Sequence, residues 1–353
     1  MKMPSVPISF TEVAATAVSR GERGIIAMIL KDTVPEINPV KCMAESDIPE
    51  TLSEEGKTQI RLALRGYVNT PNRVIVYVIE KDTGNYEAAL NYFKTVRFDY
   101  LVAPGVETDG QTSAIVSYVK NERNENKLIK AVLPNVSADN EAIVNYVTEK
   151  VYENDTEYTT EQYCSRIAGI IAGTPLTISC TYASIPELTD CSRLSKKEAD
   201  DAAEAGKLIV WWDGEKVKTG RGLNSLTTLT QGKNTQFQKI KIVDTLDMIA
   251  NDIRMTAEDS YLGKYANTYD NKCLLLSAIG NYFEKLKTEG VLEKYSVEID
   301  TEANRKYLKD KGMDVETMTD DDAKQANTGS YVFLKATLSV LDAIEDIVLP
   351  ITI

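Results

Sequence analysis

The chain contains no histidine, although it has 353 residues and 18 tyrosines. Histidine is the commonest general acid–base of enzymes and the commonest metal ligand. Its absence excludes catalytic triads of the Ser-His-Asp and Cys-His kinds and zinc sites that use imidazole. Whole classes of hydrolase and metalloenzyme are therefore ruled out by composition.

Long apolar runs are missing as well. No apolar stretch approaches the roughly 20 residues needed to span a bilayer, and the opening residues MKMPSVPISFTEV lack the apolar core of a secretory signal. We therefore expect no membrane insertion and no secretory signal. The net charge of −13 argues against nucleic acid as a partner, because phosphates favour basic surfaces.

Cysteine is scarce and scattered. The five cysteines are odd in number and include no C-x-x-C pair. This pattern predicts reduced, buried thiols rather than a disulfide framework or a metal site, and a protein made in a reducing cytoplasm.

Motifs that carry chemistry are few. The glycine cluster Gly220-Arg-Gly-Leu-Asn-Ser225 lacks the third glycine of a dinucleotide fingerprint, and no phosphate-binding P-loop or G-x-S-x-G elbow occurs. We interpret this cluster as a loop entering a packed helix, and Asp320-Asp-Asp322 as the first turn of a helix rather than a metal site. No catalytic, cofactor-binding or metal-binding residue can be named, although a carboxylate or lysine enzyme stays open.

Strands and helices are predicted to alternate from residue 25 to about residue 230. Spacings of about 30 residues between strands indicate βαβ units and a parallel sheet covered on both faces. Predicted strands are 25–30, 73–79, 100–103 and 127–133. Predicted helices are 57–65, 86–96, 113–121, 140–152 and 162–172. Residues 207–217 are predicted to form a hairpin that turns at Asp213-Gly214.

A second unit of α+β type is predicted to begin near Lys233. Apolar residues at three- and four-residue spacing predict helices over 237–253 and 275–286, the second ended by Gly290. Strands are expected at 291–299 and 331–341. The predicted domains are an N-terminal arm (1–20), an α/β domain (21–230), an α+β domain (231–330) and a C-terminal strand and arm (331–353).

Both ends of the chain are predicted to be extended arms that pair with other copies. An unpaired apolar edge invites aggregation, and strand exchange between copies would satisfy it. The alternative is that the C-terminus completes the sheet of its own subunit. The predicted arm residues are Val6, Ile8, Phe10, Val332, Leu334, Ile347, Leu349, Ile351 and Ile353. Gly21, Gly24 and Gly329 are predicted hinges between arms and domains.

The segments 220–228 and 237–253 resemble the tail sheath proteins of contractile phages. So do the opening residues 6–10 with 23–27, the segment 280–292 and the apolar C-terminal end. The resemblance is closest to the small sheaths of Gram-positive phages, PBSX-like elements and R-type bacteriocins, and it follows nearly the whole chain in order.

This resemblance implies a subtilisin-like α/β domain without protease activity, a C-terminal domain and extended arms. It implies a structural subunit that polymerises helically around an inner tail tube protein, contracts, and drives the tube through a cell envelope. The implied partners are other copies, the tube, and baseplate and tail terminator proteins. The protein would be made in the bacterial cytoplasm and become part of a phage tail or phage-tail-like particle. A divergent α/β enzyme and a monomeric adaptor remain the alternatives.

Overall fold

The computed structural model describes residues 17–352, which form two compact units. Of the described residues, 21–249 and 342–352 belong to the larger unit, and 17–20 and 250–341 belong to the smaller. The chain therefore passes between the units at three points, after residues 20, 249 and 341. Residues 342–352, at the end of the described chain, again belong to the larger unit.

Strands and helices are numbered here in chain order. The strands are β1 (Ile25–Lys31), β2 (Val40–Cys42), β3 (Arg73–Ile79), β4 (Tyr100–Val102), β5 (Lys130–Pro134), β6 (Ile143–Tyr146), β7 (Lys150–Glu153), β8 (Thr156–Thr159), β9 (Asp190–Cys191), β10 (Lys207–Leu208), β11 (Val210–Trp212), β12 (Val217–Thr219), β13 (Leu292–Ile299) and β14 (Leu334–Val340). The α-helices are α1 (Glu54–Leu64), α2 (Glu87–Phe93), α3 (Thr112–Asn124), α4 (Thr160–Ala172), α5 (Lys196–Glu204), α6 (Ile240–Ser260), α7 (Tyr269–Thr288), α8 (Thr301–Asp310) and α9 (Asp320–Gln325).

The larger unit is built on a seven-stranded mixed sheet with the order β10-β6-β5-β4-β1-β3-β2. Neighbouring strands are parallel except for the edge strand β2, which runs antiparallel to β3. The predicted strands at 25–30, 73–79, 100–103 and 127–133 all lie in this sheet. The prediction of an α/β unit with a largely parallel sheet is therefore confirmed.

Helices cover both faces of this sheet, which explains why β1 is apolar from Ile25 to Leu30. Ile26, Met28 and Leu30 join the core on the side of α1 and α4, and Ile25, Ala27 and Ile29 join the core on the side of α2 and α3. A strand buried on both faces has no polar alternation, as expected for a central parallel strand.

The predicted helix over residues 140–152 is wrong. These residues form β6, which pairs with β5 and β10, and the start of β7, which pairs with β8 and β9. Ile143, Val144 and Tyr146 are fully or almost fully buried in the sheet. A short run rich in β-branched and aromatic residues fits helical spacing and a buried strand equally well, and burial in the sheet decided the outcome.

Two further local predictions can be compared with the structure. A hairpin turns at the predicted Asp213-Gly214, but it joins β11 to β12, whereas Lys207 and Leu208 form β10 and pair with β6. Gly214 has a φ of 107°, and Asp213 Oδ1 accepts from the amides of residues 215 and 216. Thr319 accepts a hydrogen bond from Asp322 N, so the acidic run opens α9 as expected. In the part of the chain that the structure describes, no group of three His, Cys, Asp or Glu side chains is arranged to hold a metal ion.

The smaller unit contains α7, α8, α9 and the antiparallel pair β13–β14. α7 extends the predicted helix at 275–286, and Gly290 follows it at a φ of 75° as the predicted stop. The boundary between the units falls inside α6, at residues 249 and 250. No helix among residues 17–352 is long and apolar enough to cross a membrane.

Candidate assembly site

The last residues of the chain expose apolar side chains to solvent. Ile347 is 83% exposed, Val348 90%, Leu349 74% and Ile351 77%, and residues 342–352 contain no helix or strand. Exposed apolar clusters of this kind mark interaction sites or aggregation hazards. Residues 347–352, here called the arm, form such an exposed apolar segment.

The two-stranded sheet β13–β14 offers unpaired strand edges. Its register places Tyr295 opposite Leu338 and Val297 opposite Ala336, so one face of the sheet is apolar. Within residues 17–352 no third strand joins it, so each strand keeps one edge without a ladder partner. These edges expose main-chain groups that a further strand could pair with.

α7 covers this apolar face only in part. The rings of Phe283 and Tyr295 lie 5.6 Å apart, and the Tyr295 hydroxyl donates to Glu284 Oε2 at 2.9 Å. Ala336 in β14 is exposed, whereas Ile299 at the end of β13 is buried. The exposed part of the apolar face is therefore at Ala336, because Leu334 and Leu338 on either side of it are half-buried.

Those of the predicted arm residues that the structure describes lie in three environments. Val6, Ile8, Phe10 and Ile353 lie outside the described residues. Leu334 lies in β14 and pairs with Ile299 of the same chain. This pairing is what the alternative, a sheet completed within one subunit, predicts for β14. Val332 precedes that strand and is 39% exposed. Ile347, Leu349 and Ile351 lie in the exposed arm.

Of the predicted hinge glycines, one lies at a unit boundary and the other two have a positive φ within a unit. Gly21 is the first residue of the larger unit. Gly24 has a φ of 80°, and its amide donates to Asp99 Oδ2 at 2.7 Å. Gly329 has a φ of 63° in a turn of the smaller unit, where Asn267 Nδ2 donates to its carbonyl oxygen at 2.7 Å.

A buried charge network in the larger unit was missed by the sequence analysis. Lys130 Nζ in β5 lies 3.1 Å from Asp247 Oδ2 and 3.3 Å from Asp244 Oδ1, both in α6. Arg123 in α3 donates to both carboxylate oxygens of Asp247 at 2.8 and 3.0 Å. The Tyr100 hydroxyl in β4 donates to Asp244 Oδ1 at 2.6 Å. The network therefore fastens the N-terminal half of α6 to the sheet.

The mutual neutralisation of these groups sets their pKa values. Burial opposes charge on Lys130, but Asp247 and Asp244 raise its pKa above the ordinary value. Burial likewise opposes charge on Asp244, but Lys130 and Arg23 hold the pKa of this carboxyl below its ordinary value. Lys130 and Asp244 are therefore both charged at neutral pH, and they act as a structural ion pair rather than as a proton-transfer site.

This network predicts a defined pH dependence of stability. Because the pKa of Asp244 is lowered on folding, its contribution is present above about pH 4 and is lost as the pH falls below that value. Because the pKa of Lys130 is raised, its contribution is present below about pH 10 and is lost at higher pH. We expect urea midpoints to change little between these limits and to fall in acid, with a smaller acid-dependent loss in Asp244→Asn. An acid-dependent loss as large in Asp244→Asn as in the wild type would contradict this assignment.

Comparison with known proteins identifies relatives along the chain. The phage tail sheath protein central domain matches residues 80–218, and the phage tail sheath C-terminal domain matches residues 232–353. The chain is 40% identical over 350 residues to the tail sheath protein of Clostridium phage phiCD119, with 97% of each chain covered.

Solved structures show the same fold at low sequence identity. The crystal structure of the sheath tail protein from Desulfitobacterium hafniense is 18% identical, with a TM-score of 0.71 over 84% of this chain and 94% of that chain. The helical sheath of the anti-feeding prophage in its contracted state is 16% identical, with a TM-score of 0.73 over 100% of this chain and 99% of that chain.

Proposed function

This chain belongs to the phage tail sheath protein family and is a structural subunit of a contractile tail sheath, and we propose that its copies join through the arm and the edges of β13–β14. The exposed aliphatic side chains of the arm carry this proposal. The chain is not an enzyme, so the alternative of carboxylate or lysine catalysis is not favoured.

An arm that adds a strand to the β13–β14 sheet of another copy would satisfy both features of the candidate site. The edge would gain main-chain ladder partners, and apolar side chains of the arm would cover the open face along β14. The N-terminal residues Val6, Ile8 and Phe10, with their alternating apolar pattern, would supply a second strand of the same kind. Each subunit would then give two strands and receive two.

We extend the fold description to a subtilisin-like α/β domain that lacks the protease chemistry. The largely parallel sheet with helices on both faces supports this description. A chain without histidine cannot assemble the catalytic triad of such a protease. We therefore expect no peptide hydrolysis by the purified protein.

The proposed partners are other copies of the chain, an inner tail tube protein, and baseplate and tail terminator proteins. The net charge of −13 supports a partner other than nucleic acid. The subunit would be made in the bacterial cytoplasm and then form part of the tail of a phage or of a phage-tail-like particle, with no membrane insertion. Contraction of the polymer would drive the tube through a cell envelope.

Polymer formation is the direct test of this function. We expect the purified full-length chain, mixed with its inner tube protein, to form tubes in negative-stain micrographs and to sediment as a polymer. The monomeric adaptor would instead give one sedimentation coefficient of a monomer at every concentration and with tube protein present. That result would overturn the proposal.

Contraction should move the predicted domains 21–230 and 231–330 as nearly rigid bodies, with the terminal arms turning about them. Residues 327–330 lie inside the smaller compact unit, shortly before β14. We propose that the backbone changes concentrate at residues 19–24 and 327–330, where Gly21, Gly24 and Gly329 permit dihedral angles that other residues avoid. Cryo-electron microscopy of the extended and the contracted polymer would measure these dihedral changes. A rearranged seven-stranded sheet with unchanged dihedrals in both segments would rule this mechanism out.

A further inference from the structure

The arm is preceded by an acidic segment that lies against its own subunit. Lys239 forms ion pairs with Asp342 and, at 3.2 Å, with Glu345 Oε2. Arg221 NH2 lies 2.6 Å from each carboxylate oxygen of Asp346. All of these residues belong to the larger unit. Residues 342–346, here called the root, are therefore held by two cations.

Glu345 is the most firmly held residue of the root. Its side chain is 5% exposed, whereas Ile344 before it is 87% exposed and Ile347 shortly after it is 83% exposed. The Thr181 hydroxyl donates to Glu345 Oε1 at 2.5 Å, and Ser179 Oγ donates to the same oxygen at 3.2 Å. A carboxylate is buried at a high cost unless it is paired and hydrogen-bonded. Glu345 is hydrogen-bonded through Oε1, whereas Oε2 accepts no hydrogen bond and is compensated by the ion pair with Lys239.

The loop Gly220-Arg221-Gly222 lies on the other side of the Glu345 carboxylate. The amide of Gly222 donates to Thr181 Oγ1 at 2.9 Å, which orients that hydroxyl towards Glu345. A Cβ at Gly222 would lie 2.8 Å from Cys180 Sγ and 3.2 Å from Ser179 Oγ, and one at Gly220 would lie 2.7 Å from Ile209 Cγ1. The two glycines therefore permit close packing on either side of Arg221, which reaches Asp346.

Anchoring of the root affects the arm, because the arm follows the root directly in the chain. A tethered strand binds its acceptor more readily when the tether is short and fixed, since effective concentration falls as the free linker lengthens. Releasing residues 342–346 would lengthen the free segment and would add their backbone ordering to the cost of every strand exchange. A fixed root also sets the point from which the arm leaves its subunit.

We infer that Ser179, Thr181, Gly220–Gly222 and Lys239 form a carboxylate seat that anchors the root in its own subunit and so positions the arm for a second copy. This inference rests on the proposed function, because it assigns positioning residues to the same strand exchange. It also gives a role to the glycine cluster that the sequence analysis interpreted only as a packed loop. The seat is a positioning site, and it takes no external ligand.

A charge exchange between Lys239 and Glu345 tests the seat. We expect Lys239→Glu and Glu345→Lys each to raise the concentration at half-maximal assembly by at least about tenfold, which corresponds to about 1.4 kcal/mol. The double variant should recover part of the loss, because the pair between positions 239 and 345 is restored with reversed sign while the new carboxylate at position 239 still faces Asp342. Lys197→Ala, which removes the exposed pair with Asp201 on α5, is the matched control and should assemble normally.

Root anchoring can be measured in the monomer, independently of assembly. A glutamate-specific protease should cleave slowly after the buried Glu345 in the wild type and in Lys197→Ala, and faster in Lys239→Glu, as followed by intact mass. A role confined to general stability would not produce selective cleavage at this bond in a chain with unchanged thermal melting. If Lys239→Glu fails to fold, the milder Lys239→Gln and Arg221→Gln variants are measured on the same scale.

The outcomes separate this inference from the proposed function. Wild-type assembly by Lys239→Glu and Arg221→Gln, with unchanged cleavage after Glu345, overturns the seat and leaves the sheath function intact. Absence of assembly by the wild-type chain in the presence of its tube protein overturns the proposed function itself. Loss of assembly in both single variants with recovery in the double variant supports the seat.

Discussion

Deletion of residues 346–353 is expected to abolish polymer formation and to leave a folded monomer. The side chains of Ile347, Leu349 and Ile351 are more than 70% exposed and belong to neither hydrophobic core of the larger unit. The deletion removes one ion pair of the fold, between Arg221 and the mostly exposed Asp346. Exposed ion pairs contribute about 0–1 kcal/mol, so the monomer should lose little stability.

The expected effect on assembly is much larger. Burial of three or four aliphatic side chains contributes about 1.5–3 kcal/mol each, and each ladder hydrogen bond about 0.5–1.5 kcal/mol. These gains offset an ordering cost of about 1–2 kcal/mol per residue of the arm, so a single exchange is close to balance. A polymer held by several such exchanges per subunit is cooperative, and loss of one arm from every subunit should prevent it from forming.

Sedimentation velocity and negative-stain microscopy measure the polymer, and circular dichroism measures folding of the truncated chain. A finer comparison uses the alternation of the arm. Leu349→Asp should impair assembly more than Val348→Asp if Ile347, Leu349 and Ile351 form the buried face of an added strand. Polymers of normal length from the truncated chain would refute strand exchange by this arm.

Prediction from the sequence succeeded where burial alone determines local structure. Ile25–Leu30 and Arg73–Ile79 are apolar on both faces, and a parallel sheet covered by helices is the structure that buries such strands. It failed at residues 140–152, because Ile143, Val144 and Tyr146 suit helix and strand alike until their neighbours β5 and β10 are known. Pairing between distant segments decides such cases.

The buried charge network and the seat could not be predicted from the sequence for a related reason. Asp244 and Asp247 lie three residues apart on a helix otherwise predicted to be apolar on this face, and that spacing was the one visible signal. Their partners Lys130 and Arg123 lie more than 100 residues away in the sequence. Glu345 and Thr181 are similarly remote. Polar pairs at such separation leave no periodic pattern.

Lys130→Met is expected to destabilise the larger unit by about 3–5 kcal/mol, the usual cost of removing one partner from a buried ion pair. Lys130 is 4% exposed, and both of its carboxylate partners are buried beside it. Methionine keeps most of the length of the side chain, so little packing is lost. The carboxylates of Asp244 and Asp247 would keep Arg23 and Arg123 but lose the cation that lies between them.

Tryptophan fluorescence is a suitable probe for this prediction, because both tryptophans, Trp211 and Trp212, lie in β11 of the larger unit. Urea unfolding should therefore give the stability of that unit directly. Lys150→Met is the matched control: both side chains of the Lys150–Glu157 pair at 2.9 Å are more than 40% exposed, so this pair should contribute little to stability. Equal urea midpoints for Lys130→Met and Lys150→Met would show that the network does not hold α6 to the sheet. A larger loss in Lys130→Met would establish that the buried charges, rather than the apolar face of α6 alone, fasten this helix.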